Sequence, residues 1–413
     1  MRMIKLARLV VVVSLGSPPT TEASFDVYTI ETNAVLMWAR AIGDVNGDGL
    51  ADVLFQDSNG YGGSLGWFEA RDGGRSWVRR TIALVAPNGQ PFAAGALDAA
   101  DVDRDGDVDV LGMSHPGEWK QADARTELFW YENPRPNADP ATATWRAHYI
   151  GHAPAFVKDV RFADFDRDGR LDLAAITYRG NKLLVWRQED ASRWSVVQSM
   201  TIPNLHEGMD VGDLDGDGFP DVAANGYWVR CPGASLTSSW AVGSIDAKWH
   251  NQTGDWSRNA TKVLCCDLDR DGRDEVFVSH SERTGYPVSW YRADSPQMAT
   301  WIEHGIVSNR TAVHTLQVAD FNRDGSMDVL LGTNPGRAKN LGEKEFPVSI
   351  FLGSPGYQRW EEIRLTNDGI YNGQVADVNG DGWPDIICLR SHEPSRLEVW
   401  LNRGHWPSAQ RQP

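Results

Sequence analysis

Short apolar runs separated by acidic, glycine-rich turns fill most of the chain, and the two recur as one unit. Val160-Arg-Phe-Ala163 leads into one such turn and Leu173-Ala-Ala-Ile176 leads out of it. Runs this short, bounded by turn residues on both sides, predict β-strands rather than helices. The turn sequence occurs seven times, at residues 44–52, 101–109, 164–172, 213–221, 267–275, 320–328 and 377–385, with starts 57, 63, 49, 54, 53 and 57 residues apart. That period suits one four-stranded propeller blade with loops of variable length.

Tryptophans place the remaining strands. One strand of each unit carries Trp67, Trp130, Trp186, Trp228, Trp290, Phe351 or Trp400. An outer strand carries Trp followed five residues later by an aliphatic: Trp77 and Ile82, Trp145 and Ile150, Trp240 and Ile245, Trp301 and Ile306, Trp360 and Leu365, with Trp194 in a looser copy. Because they repeat with the unit, these twelve of the 18 tryptophans are read as packing between blades rather than as sugar platforms. The last repeat ends without an outer strand. Phe25-Asp-Val-Tyr-Thr-Ile30 has the spacing of Trp145-Arg-Ala-His-Tyr-Ile150, so the N-terminal strand is expected to supply it and close the ring, removing exposed sheet edges. The expected fold is therefore all-β: a single seven-bladed β-propeller over residues 24–413, with one ion-binding loop per blade.

Residues 1–23 read differently. Arg2, Lys5 and Arg8 precede an apolar run over residues 9–15, and Thr21-Glu22-Ala23 ends in a small residue suited to cleavage, so a signal peptide and a secreted protein are expected. On that reading Asn251, Asn259 and Asn309 head glycan-acceptor triplets. No later stretch offers the roughly 18 apolar residues of a membrane span. With 40 Lys+Arg against 56 Asp+Glu, the net charge of −16 makes nucleic-acid phosphate an unsuitable partner. Four cysteines in 413 residues are too few for a disulfide scaffold; Cys231, Cys265, Cys266 and Cys388 read as buried thiols, with a link from Cys231 to one of the others left open.

Each turn follows D-x-[DN]-x-D-G-x-x-[DE], placing oxygen side chains at positions 1, 3, 5 and 9. These are Asp44, Asn46, Asp48 and Asp52; Asp101, Asp103, Asp105 and Asp109; Asp164, Asp166, Asp168 and Asp172; Asp213, Asp215, Asp217 and Asp221; Asp267, Asp269, Asp271 and Glu275; Asp320, Asn322, Asp324 and Asp328; and Asp377, Asn379, Asp381 and Asp385. Calcium accepts about six to eight oxygens in flexible geometry, whereas magnesium keeps its waters in a strict octahedron, so Ca2+ is the expected ion, structural and up to seven in number. An EF-hand is excluded because strands, not helices, flank the loops and no Glu stands at position 12. Positions 1, 3, 5 and 9 hold 25 of the 56 acids, whose mutual repulsion a cation would relieve.

These repeats resemble the FG-GAP/VCBS calcium-loop repeats of integrin α-subunit heads and many secreted propellers, over residues 25–403. The stretch from His206-Glu-Gly-Met-Asp-Val-Gly-Asp to Tyr227-Trp228 is also similar, more loosely, to the propeller portion of aldos-2-ulose dehydratases. The second resemblance implies a lyase acting on an oxidised sugar; the cupin domains of those enzymes have no counterpart here.

In such a fold the ion loops lie on one face, and the starts of inner strands and ends of second strands gather round a funnel on the other. Arg40, Lys158, His206, Glu207, Lys262 and His314 fall in the first register; His115, Tyr178, His280, Glu282, Arg337 and His392 in the second. Two chemistries fit. In general-base β-elimination, His206, held by Glu207 or a neighbour, removes a proton next to a carbonyl or carboxylate, Lys158, Arg40 or Lys262 stabilises the enolate, and Tyr178 or His314 protonates the leaving oxygen. Alternatively, some of His115, His206, His280, His314 and His392 hold a transition metal in the funnel. The partner is then a carbohydrate or related oxygenated small molecule. The non-catalytic alternative is a lectin-like or adhesion propeller, for which Trp119, Trp249 and Trp256 offer aromatic platforms, the last two in a 246–259 connection that could act as a lid.

Overall fold

The computed structural model describes residues 25–58, 63–117, 124–250, 256–294 and 300–406. The expected signal peptide and Trp119 lie outside them, as does the side chain of Trp256. Seven four-stranded antiparallel sheets follow one another along the chain. Blade 1 runs from its inner strand, Ala39–Gly43, through Asp52–Gln56 and Leu65–Arg71 to the outer strand Ser76–Ala83. The inner strands of blades 2 to 7 are Ala99–Ala100, Val157–Ala163, Met209–Gly212, Thr261–Cys266, Val313–Ala319 and Tyr371–Ala376. The seventh sheet takes its last three strands from the C-terminus and its outer strand, Phe25–Ala34, from the start of the described chain, with Phe25 opposite Asn402 and Tyr28 opposite Val399.

Second and third strands are buried almost throughout, which fits their apolar sequences, while outer strands alternate. All twelve repeat tryptophans are buried or half-buried; Trp67, Trp130 and Trp186 are fully enclosed. The four cysteines are free thiols, and burial raises Cys231, Cys266 and Cys388 to about 12. The α-helix Pro335–Asn340 follows the second strand of blade 6 and leans over the ring axis.

Each acidic nonapeptide joins the inner strand to the second strand of its blade, and its ninth residue opens the second strand. The loop is wired by its own carboxylates. Position 1 accepts the N–H of the glycine at position 6 in all seven loops, at 2.7–3.1 Å. Position 5 accepts the N–H of position 7 in all seven, at 2.8–3.2 Å. Closing so small a turn puts the position 6 glycine at φ of 84–94° every time, a region that other residues enter only with strain.

Candidate active site

The inner strands of blades 3, 6 and 7 each carry a bulge near their start. In blade 3 the register jumps between Val157 and Asp159, leaving Lys158 unpaired; in blade 6 it jumps between Val313 and Thr315, leaving His314 unpaired. In blade 7 the break lies between Tyr371 and Gln374, where Asn372 takes φ of 46°. Bulges re-aim side chains out of the alternating pattern, and here they send Lys158, His314 and Tyr371 into one cavity of about 250 Å³ on the ring axis. Trp38, Phe156, Tyr178, Glu207, Glu282, Asn334, Arg337 and His392 complete its walls. Gly95 lets the blade 2 segment pass close by: a Cβ there would stand 2.5 Å from the Lys158 carbonyl oxygen.

Two charged arrangements line this cavity. Glu207 is buried and lies between two ammonium groups, with Lys158 Nζ at 3.0 Å and Lys262 Nζ at 2.9 Å. Burial would raise its carboxyl, but the two lysines hold it well below the usual carboxylate range. Burial likewise works against the charge on Lys158, and the Glu207 carboxylate overcomes it, keeping the ammonium form. In the second, His314 Nε2 lies 2.8 Å from Glu282 Oε1, and Arg337 Nε lies 2.9 Å from Glu282 Oε2. His314 Nδ1 has no hydrogen-bond partner among the described residues. A carboxylate that fixes one ring nitrogen as N–H leaves the other as a lone-pair base. The His314 ring lies 4.6 Å from that of Tyr371, whose buried hydroxyl is held protonated by desolvation.

The other expected residues stand elsewhere. His206 does not line the cavity; its Nδ1 is 3.1 Å from the Tyr178 carbonyl, its ring is 4.2 Å from the Tyr178 ring, and burial lowers its pKa to about 4. Glu207 does not hold it, being committed to the lysines. Arg40 is turned away into a second chamber of about 390 Å³ beneath the first, where it donates to the carbonyls of Met37 and Asn372. His115 is fully buried, its ring nitrogens 2.7 Å and 2.9 Å from the carbonyls of Gly117 and Ala124. His280 is buried against Tyr286 and His250, with Nε2 on the Arg258 carbonyl, and burial lowers it to about 4. Of the five histidines considered as funnel metal ligands, only His314 and His392 reach the cavity, and no group of three histidines within metal-ligating distance occurs among the described residues. Trp249 packs toward Tyr286 and His250 toward His280, so the described part of the 246–259 connection braces blade 5 instead of covering the cavity. Tyr371, which the sequence reading did not select, is the tyrosine whose ring packs beside His314.

On the opposite face, four loops bring three acids within 4.8 Å of one another and so could hold a metal ion: Asp101, Asp103 and Asp109; Asp164, Asp166 and Asp172; Asp213, Asp215 and Asp217; Asp267, Asp269 and Asp271. The ninth residue has a second duty. In six loops it accepts the N–H of position 2, and in most it also accepts one from the third strand, as Asp52 does from Val45 and Ala70. Burial, opposed by these bonds, pushes Asp52, Asp109 and Asp221 up to about 8 and Asp172, Glu275, Asp328 and Asp385 up to about 7.

The FG-GAP-like repeat model matches residues 44–112, 164–224 and 267–331. No curated protein matches the sequence. Among solved structures, BBS1N in complex with ARL6DN aligns with a TM-score of 0.51 at 8% identity, covering 94% of this chain and 99% of that one. The α-L-arabinofuranosidase Arb93A of Fusarium graminearum, in complex with an iminosugar inhibitor, aligns with a TM-score of 0.50 at 10% identity, covering 92% of this chain and 97% of that one. At such identities the likeness is one of fold. The repeats, their spacing and the seven sheets together place this chain in the FG-GAP-like repeat family, as a seven-bladed β-propeller.

Proposed function

We propose that the protein is a secreted, calcium-stabilised propeller enzyme that acts on a carbohydrate or related oxygenated small molecule by β-elimination in the axial cavity. The observation that carries this is the Glu282–His314 pair, with its buried Nδ1 unengaged, lining the same cavity as an ammonium group that Glu207 keeps charged. His314 Nδ1 takes the proton from the carbon next to the substrate carbonyl or carboxylate. The electron pair moves toward the substrate oxygen, where Lys158 stabilises the enolate, and then forms the carbon–carbon double bond as the β-oxygen leaves. Tyr371, protonated and adjacent, gives its proton to the leaving oxygen. Trp38, Phe156, Tyr178 and Tyr371 supply aromatic walls of the kind that hold sugar rings. Calcium in the nonapeptide loops would fasten the opposite face and takes no part in these steps.

The test is a screen of oxidised sugars and uronic-acid oligomers for new ultraviolet absorbance from a conjugated product. His314→Ala and Lys158→Met should each lower kcat/KM by a factor of about 100 or more, and His206→Gln should leave kcat near the wild-type value. Binding without turnover across the screen would support the lectin-like reading instead.

A further inference from the structure

The seven nonapeptides share a backbone, but what stands over their carboxylates differs. The residue on the third strand opposite position 9 follows from the strand register: Glu69 in blade 1, Glu132 in blade 2, Arg187, Arg230 and Arg292 in blades 3 to 5, then Leu352 and Leu401. In blades 3 to 5 its side chain reaches positions 3 and 5 of the loop below. In blade 3, Arg187 lies 2.6 Å from Asp166 and 3.1 Å from Asp168. In blade 4, Arg230 lies 2.6 Å from Asp215 and 3.2 Å from Asp217. In blade 5, Arg292 lies 2.6 Å from Asp269 and 2.7 Å from Asp271. Blades 3 and 5 add a second arginine at position 7, Arg170 on Asp168 and Arg273 on Asp271.

The loop of blade 2 is the opposite case. Its third-strand residue is Glu132, and its position 7 is a fifth acid, Asp107, only 6% exposed. Both Asp107 oxygens and Asp101 Oδ1 are buried without a hydrogen-bond partner. Three acids of this loop already stand within 4.8 Å of one another. Buried carboxylate oxygens left unbonded are costly unless a cation completes them. A guanidinium placed across two carboxylates supplies that charge permanently and occupies the oxygens an ion needs.

We infer that the loops are unequal cation sites: the blade 2 loop binds a divalent cation most tightly, while in blades 3, 4 and 5 an arginine stands in for the ion. This rests on the reading that the loops hold calcium, and it reduces the expected seven ions to at most four. Glu69, paired with Arg71 and Arg80, and the neutral Leu352 and Leu401 give blades 1, 6 and 7 intermediate standing.

Tightly bound calcium is counted by elemental analysis after gel filtration and by titration calorimetry on the full chain. The wild type should hold at most four ions at the tighter affinity. Asp107→Asn should remove one of them. Arg187→Met, Arg230→Met and Arg292→Met together should raise the count toward seven, read in calcium-containing buffer so that a variant needing the ion to fold still reports. Seven equivalent ions in the wild type would overturn the inference and leave the calcium reading standing. An arginine triple variant that folds in calcium with an unchanged count would also overturn it. Absence of any bound ion would remove the calcium reading itself.

Discussion

The histidines show what a single residue type can and cannot disclose. His206, His115 and His280 fall in the sequence registers that border a funnel, yet all three are buried and bonded to backbone carbonyls. Of the described histidines expected at the funnel, His314 combines a carboxylate partner with the unengaged nitrogen that proton transfer needs. The difference lies in bulges, which alternation along a strand cannot reveal; the same irregularity at Asn372 hid Tyr371. The buried histidines still have a measurable consequence. His206 and His280 titrate at about 4 and His250 at about 3, against about 6.5 in an unfolded chain. Their folded pKa values are depressed, so their contribution is fully present above about pH 6.5 and is lost as pH falls, because only the unfolded chain takes up the protons. For His206 and His280 this corresponds to about 3 kcal/mol each. Because the raised ninth-position carboxyls act in the opposite sense, the histidine effect is read as a difference: as pH falls from about 6.5 to 4, the denaturant midpoint of His280→Phe should rise relative to the wild type. A difference that does not change with pH in this window would contradict the assignment of His280 as a neutral core group.

At the scale of the element, the nonapeptide was legible because its constraints are written one residue at a time: a carboxylate for each backbone N–H, and glycine where φ must be positive. The ninth residue was read only as an ion ligand, whereas its carboxylate also ties the loop to the third strand, a long-range contact with no local signature. Blade 2 was harder to place. Its inner strand is only Ala99–Ala100, and the segment before it is held by single bonds, such as Gly95 N–H to the Val157 carbonyl and the Phe162 N–H to Asp98. The glycine at position 6 separates backbone strain from crowding. Gly106 and Gly272 sit at φ of 94° and 87° with open space where a Cβ would go. Gly106→Ala and Gly272→Ala should each cost about 1–2 kcal/mol by conformation alone. Because the carboxylates are untouched, calcium should still bind the blade 2 loop and offset part of the loss in Gly106→Ala, whereas the arginine-held blade 5 loop gives Gly272→Ala no such offset. Thermal unfolding with and without calcium reads both; a neutral substitution would show that the loop relaxes out of the left-handed region.

The whole molecule depends on both ends of the chain and on one acidic face. Phe25–Ala34 pairs with Ser395–Asn402, burying Ile30 and Ala34, so the seventh sheet joins the two ends, and it was the spacing of a single aromatic and a single aliphatic that made this pairing legible. Inter-blade bonds near the axis extend the tie: Asp159 to the Gly208 N–H, Asp210 to the Cys265 N–H, Thr315 to the Gly373 N–H and Gln374 to the Arg40 carbonyl. None of these is visible in a repeat pattern, because each belongs to one blade boundary. Opposite the cavity, the seven loops hold 25 carboxylates at positions 1, 3, 5 and 9 on one face of a chain whose net charge is −16. Arginines neutralise part of this in blades 3 to 5, leaving the repulsion concentrated in blades 1, 2, 6 and 7. Removing divalent ions with a chelator should therefore lower the melting temperature. The drop should be larger in low salt than in high salt, since the Debye length shortens from about 30 Å at 0.01 M to about 3 Å at 1 M and screens the exposed part of the repulsion. Adding back calcium should restore the melt, and magnesium should do so less well, because it resists giving up its waters to a site with several carboxylates. A melting temperature that does not change with chelator at low salt would show that the acidic face is stable without ions, and that the arginines and backbone bonds alone hold the loops.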